Sequence, residues 1–398
     1  MGAVTSLTGL IDRLAGLLGL PYTDTVVLLG AIVLGVTSGV LGAFAVLRRR
    51  SLVGDAIAHS TLPGVCLAFV LAGAKDVPGL LAGAAVTGLV AALLMVAAER
   101  SGLPPDAAIG VVLSGCFSLG VVLLTHIAGS GDADQAGLAN YLFGQAAGLL
   151  AGDVAVMAAI AAVAIAVVVV GRRALTATLF DAAHAAALGL RVRLVEAGMT
   201  ALLVVAVVIG VRLVGAILMV AMLAAPAVAA RQFTDRLSRM LVLAALIGAV
   251  VGAAGALAAT RAQLPTGPVV VLVAVAAAVA AVLVAPGRGV LWQARRLAAR
   301  RARVRRDAAL LALARGASVP AWTILYLRRL GYLGAAGELT GAGREAAAAA
   351  GDRRALWTAW LAYGARLELP DAREPDPLDL PGSIGAEAVA RLRELAAR

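Results

Sequence analysis

Long apolar runs of about 20 residues, separated by short polar or charged joints, recur along most of the chain. A helix rises about 1.5 Å per residue, so each run can cross a hydrocarbon core about 30 Å thick. Nine spans are predicted, at about 26–47, 53–74, 78–98, 107–128, 152–170, 195–212, 213–230, 240–260 and 268–286, with eight and ten as bounds on the count. The sixth and seventh meet at Gly210, Arg212 and Gly215, where a kink is expected. Residues 5–20 alternate apolar and small polar positions around Asp12 and Arg13, and read as an amphipathic helix at the membrane interface. No strand-like alternation of the kind a β-barrel needs is present. The fold class is an all-α polytopic membrane protein.

The pattern changes after Pro286. Residues 288–306 hold eight arginines and no acid, a juxtamembrane helix suited to anionic headgroups. Residues 307–351 then read as helix, turn, helix and Gly-rich hairpin, in DAALLALARG, SVPAWTILYLRRLGYL and GAAGELTGAGREA, with Ser318 as N-cap and Pro320 in the first turn. That order is the pattern of a small winged-helix-like domain. The Pro- and Asp-rich stretch 366–385 is expected to be a loop. The chain thus divides into an N-terminal interfacial segment (1–25), a transmembrane domain (26–286), a basic juxtamembrane helix (287–306) and a winged-helix-like domain with its tail (307–398).

Composition agrees with the pattern. Of the 398 residues, 62% are hydrophobic, well above the roughly 45–50% usual in soluble domains. The net charge of +11 is uneven: residues 1–286 hold 15 basic and 12 acidic side chains, residues 287–398 hold 19 and 11. Basicity therefore belongs mainly to the tail and reads as a cytoplasmic surface before it reads as a nucleic-acid site. With nine spans, Arg48–Arg50, Arg100, Arg172, Arg173, Arg231, Arg236, Arg239 and Arg288 all fall on one side. The opposite joints, at Lys75–Asp76, Ser130–Asp134 and Arg261–Gly267, carry fewer positive charges, which predicts an external N-terminus and a cytoplasmic C-terminus. The N-terminus shows no basic region ahead of its first apolar stretch, so no cleaved signal peptide is expected. Cys66 and Cys116 form neither a disulfide framework nor a CxxC pair.

Candidate chemistry concentrates at the start of the second span, SLVGDAIAHSTLPGVC. Asp55 and His59 stand four residues apart and share a helix face. Pro63 follows at the same spacing and removes the partner of the His59 carbonyl, while Cys66 returns to nearly the same angle. Carboxylate and imidazole together suit manganese, zinc or ferrous iron as a releasable pair, with thiolate favouring zinc. The structural alternative is a helix-start carboxylate paired with Arg48–Arg50, and a Cys66 that merely packs. His126 at the outer end of the fourth span and His184 in a cytoplasmic loop read as structural, as do the helix-start acids Asp106, Asp153 and Glu196. Pro226 should bend the seventh span by freeing the Met222 carbonyl. In the loop 171–194, Asp181–Leu190 predicts a short Ala-rich helix ended by Gly189. Its small residues Ala185 and Gly189 fit either an alanine-stabilised surface helix or a docking element for a partner protein. There is no catalytic constellation and no phosphate-binding loop, since the lone lysine, Lys75, is not followed by Ser or Thr. No enzymatic activity is expected of the chain itself, and if transport uses ATP, the ATPase is a separate polypeptide.

Over about residues 25–290 the chain resembles the permease subunits of ATP-binding-cassette importers for manganese, zinc and iron. The resemblance is carried by SLVGDAIAHSTLPGVCLAF, DAAIGVVLSGCFSLGVVLL, FDAAHAAALGLRV and RLVGAILMVAMLAAPAVAARQFTDRL. It implies that Asp55 and His59 line the translocation path and coordinate the metal, and that Asp181, Ala185 and Gly189 belong to a coupling helix seated on the ATPase. It further implies cytoplasmic ATPase subunits, a second permease subunit, an extracytoplasmic metal-binding protein, a bacterial plasma membrane and no permanently bound cofactor. Residues 307–358 resemble the winged helix of diphtheria-toxin-repressor-type metalloregulators, but an expected metal-binding His reads Arg354 and an expected acid reads Thr358. The tail has no His or Cys, which favours a protein-contact module over a metal-sensing one. The alternatives are an ion-coupled carrier and a membrane-tethered regulator using Arg328 and Arg329.

Overall fold

The computed structural model describes residues 19–48, 52–72, 77–129, 146–364 and 375–397, with positions 9, 11–13, 15–17, 144 and 367 in addition. The described positions between 9 and 17 are helical, and Ile11 is buried while Asp12 and Arg13 are exposed. The joints at 49–51, 73–76 and 130–143, including Arg49, Arg50, Lys75–Asp76 and Ser130–Asp134, lie outside the described residues. The chain forms two compact units, Met1–Val290 and Leu291–Arg398.

The first unit is a bundle of helices: α1 (Tyr22–Leu47), α2 (Leu52–Ala72), α3 (Val77–Arg100), α4 (Pro105–Gly129), α5 (Ala151–Val170), α6 (Arg172–Phe180), α7 (Ala182–Ala187), α8 (Val192–Val214), α9 (Ala216–Phe233), α10 (Leu237–Ala262) and α11 (Thr266–Val284). Among the described residues, α1–α5, α8, α10 and α11 are the eight that are long and apolar enough to cross a bilayer. The ninth predicted span is α9, whose clearly apolar part is the shorter Met219–Phe233. Gly210 and Arg212 sit inside α8, and the break between the sixth and seventh spans is at Gly215, with φ 91° and ψ 159°. Only glycine tolerates that backbone, so the chain can stop one helix and start the next within a single residue. Pro226 is accommodated within α9 without ending it.

α1 is the most buried span and packs against α5, α8, α9 and α10. Its seam with α10 is built from small residues: a methyl group on Gly35 would overlap the Gly248 carbonyl, one on Gly39 the Ala244 carbonyl, and one on Gly252 the Ala31 carbonyl. Lipid tails are as apolar as leucine, so membrane helices associate through such close backbone packing more than through water exclusion. α2 lies between α3 and α4 and also touches α8 and α9. Gly64 meets Gly83 of α3, and Gly120 of α4 leaves room for Leu62 and Pro63. Outward-facing Val111, Val122, Val163, Val170 and Leu272 are exposed, as expected for helices solvated by lipid.

The second unit begins with α12 (Val290–Ala314), followed by α13 (Ala321–Arg329), α14 (Gly341–Tyr363), α15 (Leu380–Ile384) and α16 (Ala386–Ala397). The expected division at residue 306 falls inside α12, because Ala, Arg and Leu are strong helix formers that carry the helix through the change in charge. Leu310, Leu327, Leu333 and Ala347 form one small core, with Leu333 and Leu339 joined by an isolated antiparallel bridge. Thr340 caps α14: its Oγ1 accepts the Gly343 N–H at 3.1 Å and donates to the Gly331 carbonyl at 2.7 Å. Leu356, Leu380, Val389 and Leu392 form a second core. Helix α15 occupies part of the stretch predicted as loop, because Asp379 accepts the Gly382 N–H and Leu380 is buried beneath it. Residues 368–374 of that stretch lie outside the described residues.

Candidate metal site

α2 places Asp55 in its first turn and His59 one turn further on. The nearby hydroxyls fold back onto the helix itself, Ser60 to the Ala56 carbonyl at 2.5 Å and Thr61 to the Ala58 carbonyl at 2.6 Å. The carboxylate and the imidazole face one another, with His59 Nε2 3.4 Å from Asp55 Oδ1. That separation exceeds the usual N–H···O range of about 2.7–3.2 Å. It matches the roughly 3.4 Å between two donors of a tetrahedral ion with bonds of about 2.1 Å. The side chains are 16% and 29% exposed, half-sheltered and still reachable.

Phe117 of α4 meets the His59 ring edge-on, with centroids 4.9 Å apart and planes at 78°, which fixes the imidazole without consuming a nitrogen. His59 Nδ1 is buried and finds no hydrogen-bond partner among the described residues. Nε2, not Nδ1, is the nitrogen placed beside the carboxylate, so Nε2 is the atom available to an ion shared with Asp55. α2 runs through Pro63, leaving the His59 carbonyl without its helical donor. Among the described residues, no cluster of three or more His, Cys, Asp or Glu could hold an ion. Cys66 lies about 16 Å along the axis from Asp55 by helical rise, too far to share an ion. It is buried, with Sγ 3.9 Å from the Gly120 carbonyl, so it packs α2 onto α4.

Of the arginines in the structural alternative for Asp55, Arg49 and Arg50 lie outside the described residues. Arg48 directs Nη2 to Glu196 Oε1 of α8 at 3.5 Å, and Asp55 faces His59. This pairing of the α1 end with α8 is not legible in the sequence, because the residues are 148 positions apart and nothing in a linear pattern links them. His126 is exposed at the end of α4 and His184 lies on α7, both remote in sequence from the pair.

In the loop before α8, Asp181 caps α7 by accepting the His184 N–H at 2.8 Å, and Gly189 has φ 81°. Ala185 is fully buried, so its small side chain serves the packing of α7 on its own unit. Phe180 and Leu188 are the large side chains left exposed, 66% and 65%. They went unremarked in the sequence, where an apolar residue bordering an Ala-rich run looks like core.

The profile of the ABC 3 transport family matches residues 23–285. The chain belongs to that family. It is 44% identical over 289 residues to the manganese transport system membrane protein MntC of Bacillus subtilis, covering 72% of this chain and 66% of the relative. It is 45% identical over 274 residues to the zinc transport system membrane protein TroC of Treponema pallidum, covering 68% of this chain and 92% of the relative. Among solved structures it resembles PsaBC from Streptococcus pneumoniae in complex with Fab, with a TM-score of 0.59 and 31% identity over 66% of this chain and 91% of that one. All these matches leave about a third of the chain uncovered. The permease is therefore a multi-pass membrane subunit of a transport system.

Proposed function

We propose that the permease carries manganese, zinc or ferrous iron across the bacterial plasma membrane, with Asp55 and His59 as the protein's ligands in the path. The observation that carries this reading is the half-sheltered pair, His59 Nε2 3.4 Å from Asp55 Oδ1, in a mostly apolar helix. Neutral imidazole and carboxylate suit borderline first-row divalent ions. Water or a second permease subunit completes the coordination. The relatives named for manganese and zinc, and a further one named for chelated iron, support that range of cargo.

ATP is hydrolysed on separate cytoplasmic subunits that seat against α6–α7, with Asp181 and Gly189 shaping the element, Ala185 anchoring it and Phe180 and Leu188 facing outward. An extracytoplasmic protein delivers the metal, and the C-terminus is cytoplasmic. The second unit acts as a contact module: Trp322, Leu325 and Leu330 present an exposed apolar surface on and just after α13, and Arg328 is tied to the Ala335 carbonyl at 2.7 Å. A surface of that kind suits protein better than phosphate.

The test is metal uptake by cells carrying Asp55→Ala or His59→Ala at equal membrane abundance. Uptake should fall to background, and unchanged uptake would remove the site assignment. Liposomes holding the chain alone should transport nothing until the ATPase is added; transport without it would make this an ion-coupled carrier.

A further inference from the structure

The first sixteen residues of α12, 290–305, are exposed without exception, whereas its last turns contribute Ala309 and Leu310 to the core of the second unit. A helix clothed on all sides by water gains nothing from packing, and short isolated helices are marginal in water. Large apolar side chains are nonetheless set into it. Val290, Leu291 and Trp292 make up the first turn, and Leu297 and Val304 follow Val290 at seven-residue intervals, all 43–55% exposed. Seven residues bring a helix back to within about 20° of the same angle, so Val290, Leu297 and Val304 form one stripe. At about 100° per residue, Arg301 and Arg305 border the stripe on one side and Arg296 and Arg300 on the other. Arg300 is held by Asp376 at 2.8 Å, and Arg296 lies over the Trp292 ring at 5.8 Å.

The charge of this segment decides what covers the stripe. Residues 288–306 hold eight arginines and no acid, so a second copy of the same helix would be repelled. Val290 comes six residues after Val284, the end of the last span, a separation along the chain short enough to keep the start of the helix within reach of the bilayer surface. An apolar first turn containing Trp, then an apolar stripe edged by arginines that can snorkel to phosphates, is the side-chain layout of an interfacial helix.

We propose that residues 290–306 are a lipid-docking element that lies along an anionic bilayer surface, with Leu297 and Val304 turned to the acyl chains and Arg296, Arg301 and Arg305 on lipid phosphates. This goes beyond metal transport and does not depend on it. The test uses the full chain with Cys66 and Cys116 replaced by alanine, and a single spin label at position 297, 304 or 299; Ala299 projects from the opposite face. The protein is reconstituted in bilayers of phosphatidylcholine alone or with phosphatidylglycerol added. With phosphatidylglycerol, labels at 297 and 304 should lose accessibility to a water-soluble nickel chelate several-fold and gain it to oxygen, while 299 stays water-exposed. The contrast should vanish in pure phosphatidylcholine, and also in the Arg296→Gln, Arg301→Gln, Arg303→Gln, Arg305→Gln variant. Equal water exposure of all three labels in both lipids would overturn the proposal. So would shielding of 297 and 304 from the nickel chelate with no gain of access to oxygen, which would mean that protein covers the stripe. Shielding that appears only on adding DNA duplex would assign the helix to nucleic acid instead. None of these readings requires transport, so the proposal can fail while the metal assignment stands, or survive its failure.

Discussion

α1 and α2 are consecutive apolar helices of similar length, yet their buried faces are filled by opposite means. α1 meets α10 through Gly35, Gly39, Gly248 and Gly252, with backbone against backbone and almost no side-chain freedom to lose. α2 turns a carboxylate and an imidazole into a half-sheltered space and holds them with one aromatic edge. A charged residue in a span costs about 2.5–3.5 kcal/mol on insertion scales. The two helices teach that a rigid small-residue seam on one side lets the neighbouring helix keep polar donors that add nothing to stability.

The largest effect should come from emptying the polar face. Asp55→Asn preserves shape and removes the charge, and should lower metal uptake roughly 10–100-fold or more, since even supporting residues of metal sites are worth that much. Thermal unfolding of the same variant in detergent should hardly move; a large loss of stability would mean that Asp55 is structural.

Gly248→Val reverses the comparison. It forces the α1–α10 seam apart, and overpacking of this kind costs about 1–3 kcal/mol. A lower melting temperature and lower membrane abundance should accompany unaltered uptake per folded molecule. Gly215→Ala should cost about 1 kcal/mol or more, because an alanine is strained at φ 91°. It should also shift the junction of α8 and α9, seen as new protease sensitivity there.

The smallest effect belongs to Asp235, between α9 and α10. It receives hydrogen bonds from Arg288, which also donates to the Arg231 carbonyl at 3.3 Å. The bond from Arg288 holds the Asp235 carboxyl below its ordinary value of 3.8, and Coulomb attraction to Arg288 and Arg231 acts in the same sense. A lowered folded-state pKa means the contribution is complete above the ordinary value and is lost as pH falls through the lowered one. Both groups are well exposed, so salt screens the pair. Asp235→Asn should therefore leave melting at neutral pH nearly unchanged, and any difference should shrink further with added salt.

How far the sequence could be read depended on range. Hydropathy located the spans because twenty apolar residues in a row have few other uses, and the i, i+4 spacing of Asp55 and His59 survived because one helix carries both. Pairings across the bundle were not legible: nothing in the string says that Gly35 meets Gly248, or that Arg48 reaches Glu196. Ala185 shows the same limit, since a small residue on a short surface helix points inward or outward according to neighbours that only the fold supplies. Residue 306 marks a change in charge and not in backbone: helix propensity is unchanged there, and one helix, Val290–Ala314, runs through it.

If Asp55 and His59 hold the ion as proposed, the small number of protein ligands also sets a clock. Complete structural zinc sites hold their ion by about 10–16 kcal/mol, which corresponds to dissociation constants of roughly 10⁻⁷ to 10⁻¹² M. Even with association near 10⁸ M⁻¹s⁻¹, the bound ion would stay for times ranging from a fraction of a second to hours. A two-ligand site that leaves half the coordination sphere to exchangeable donors would keep each dwell short, so the passage of one ion would not delay the next.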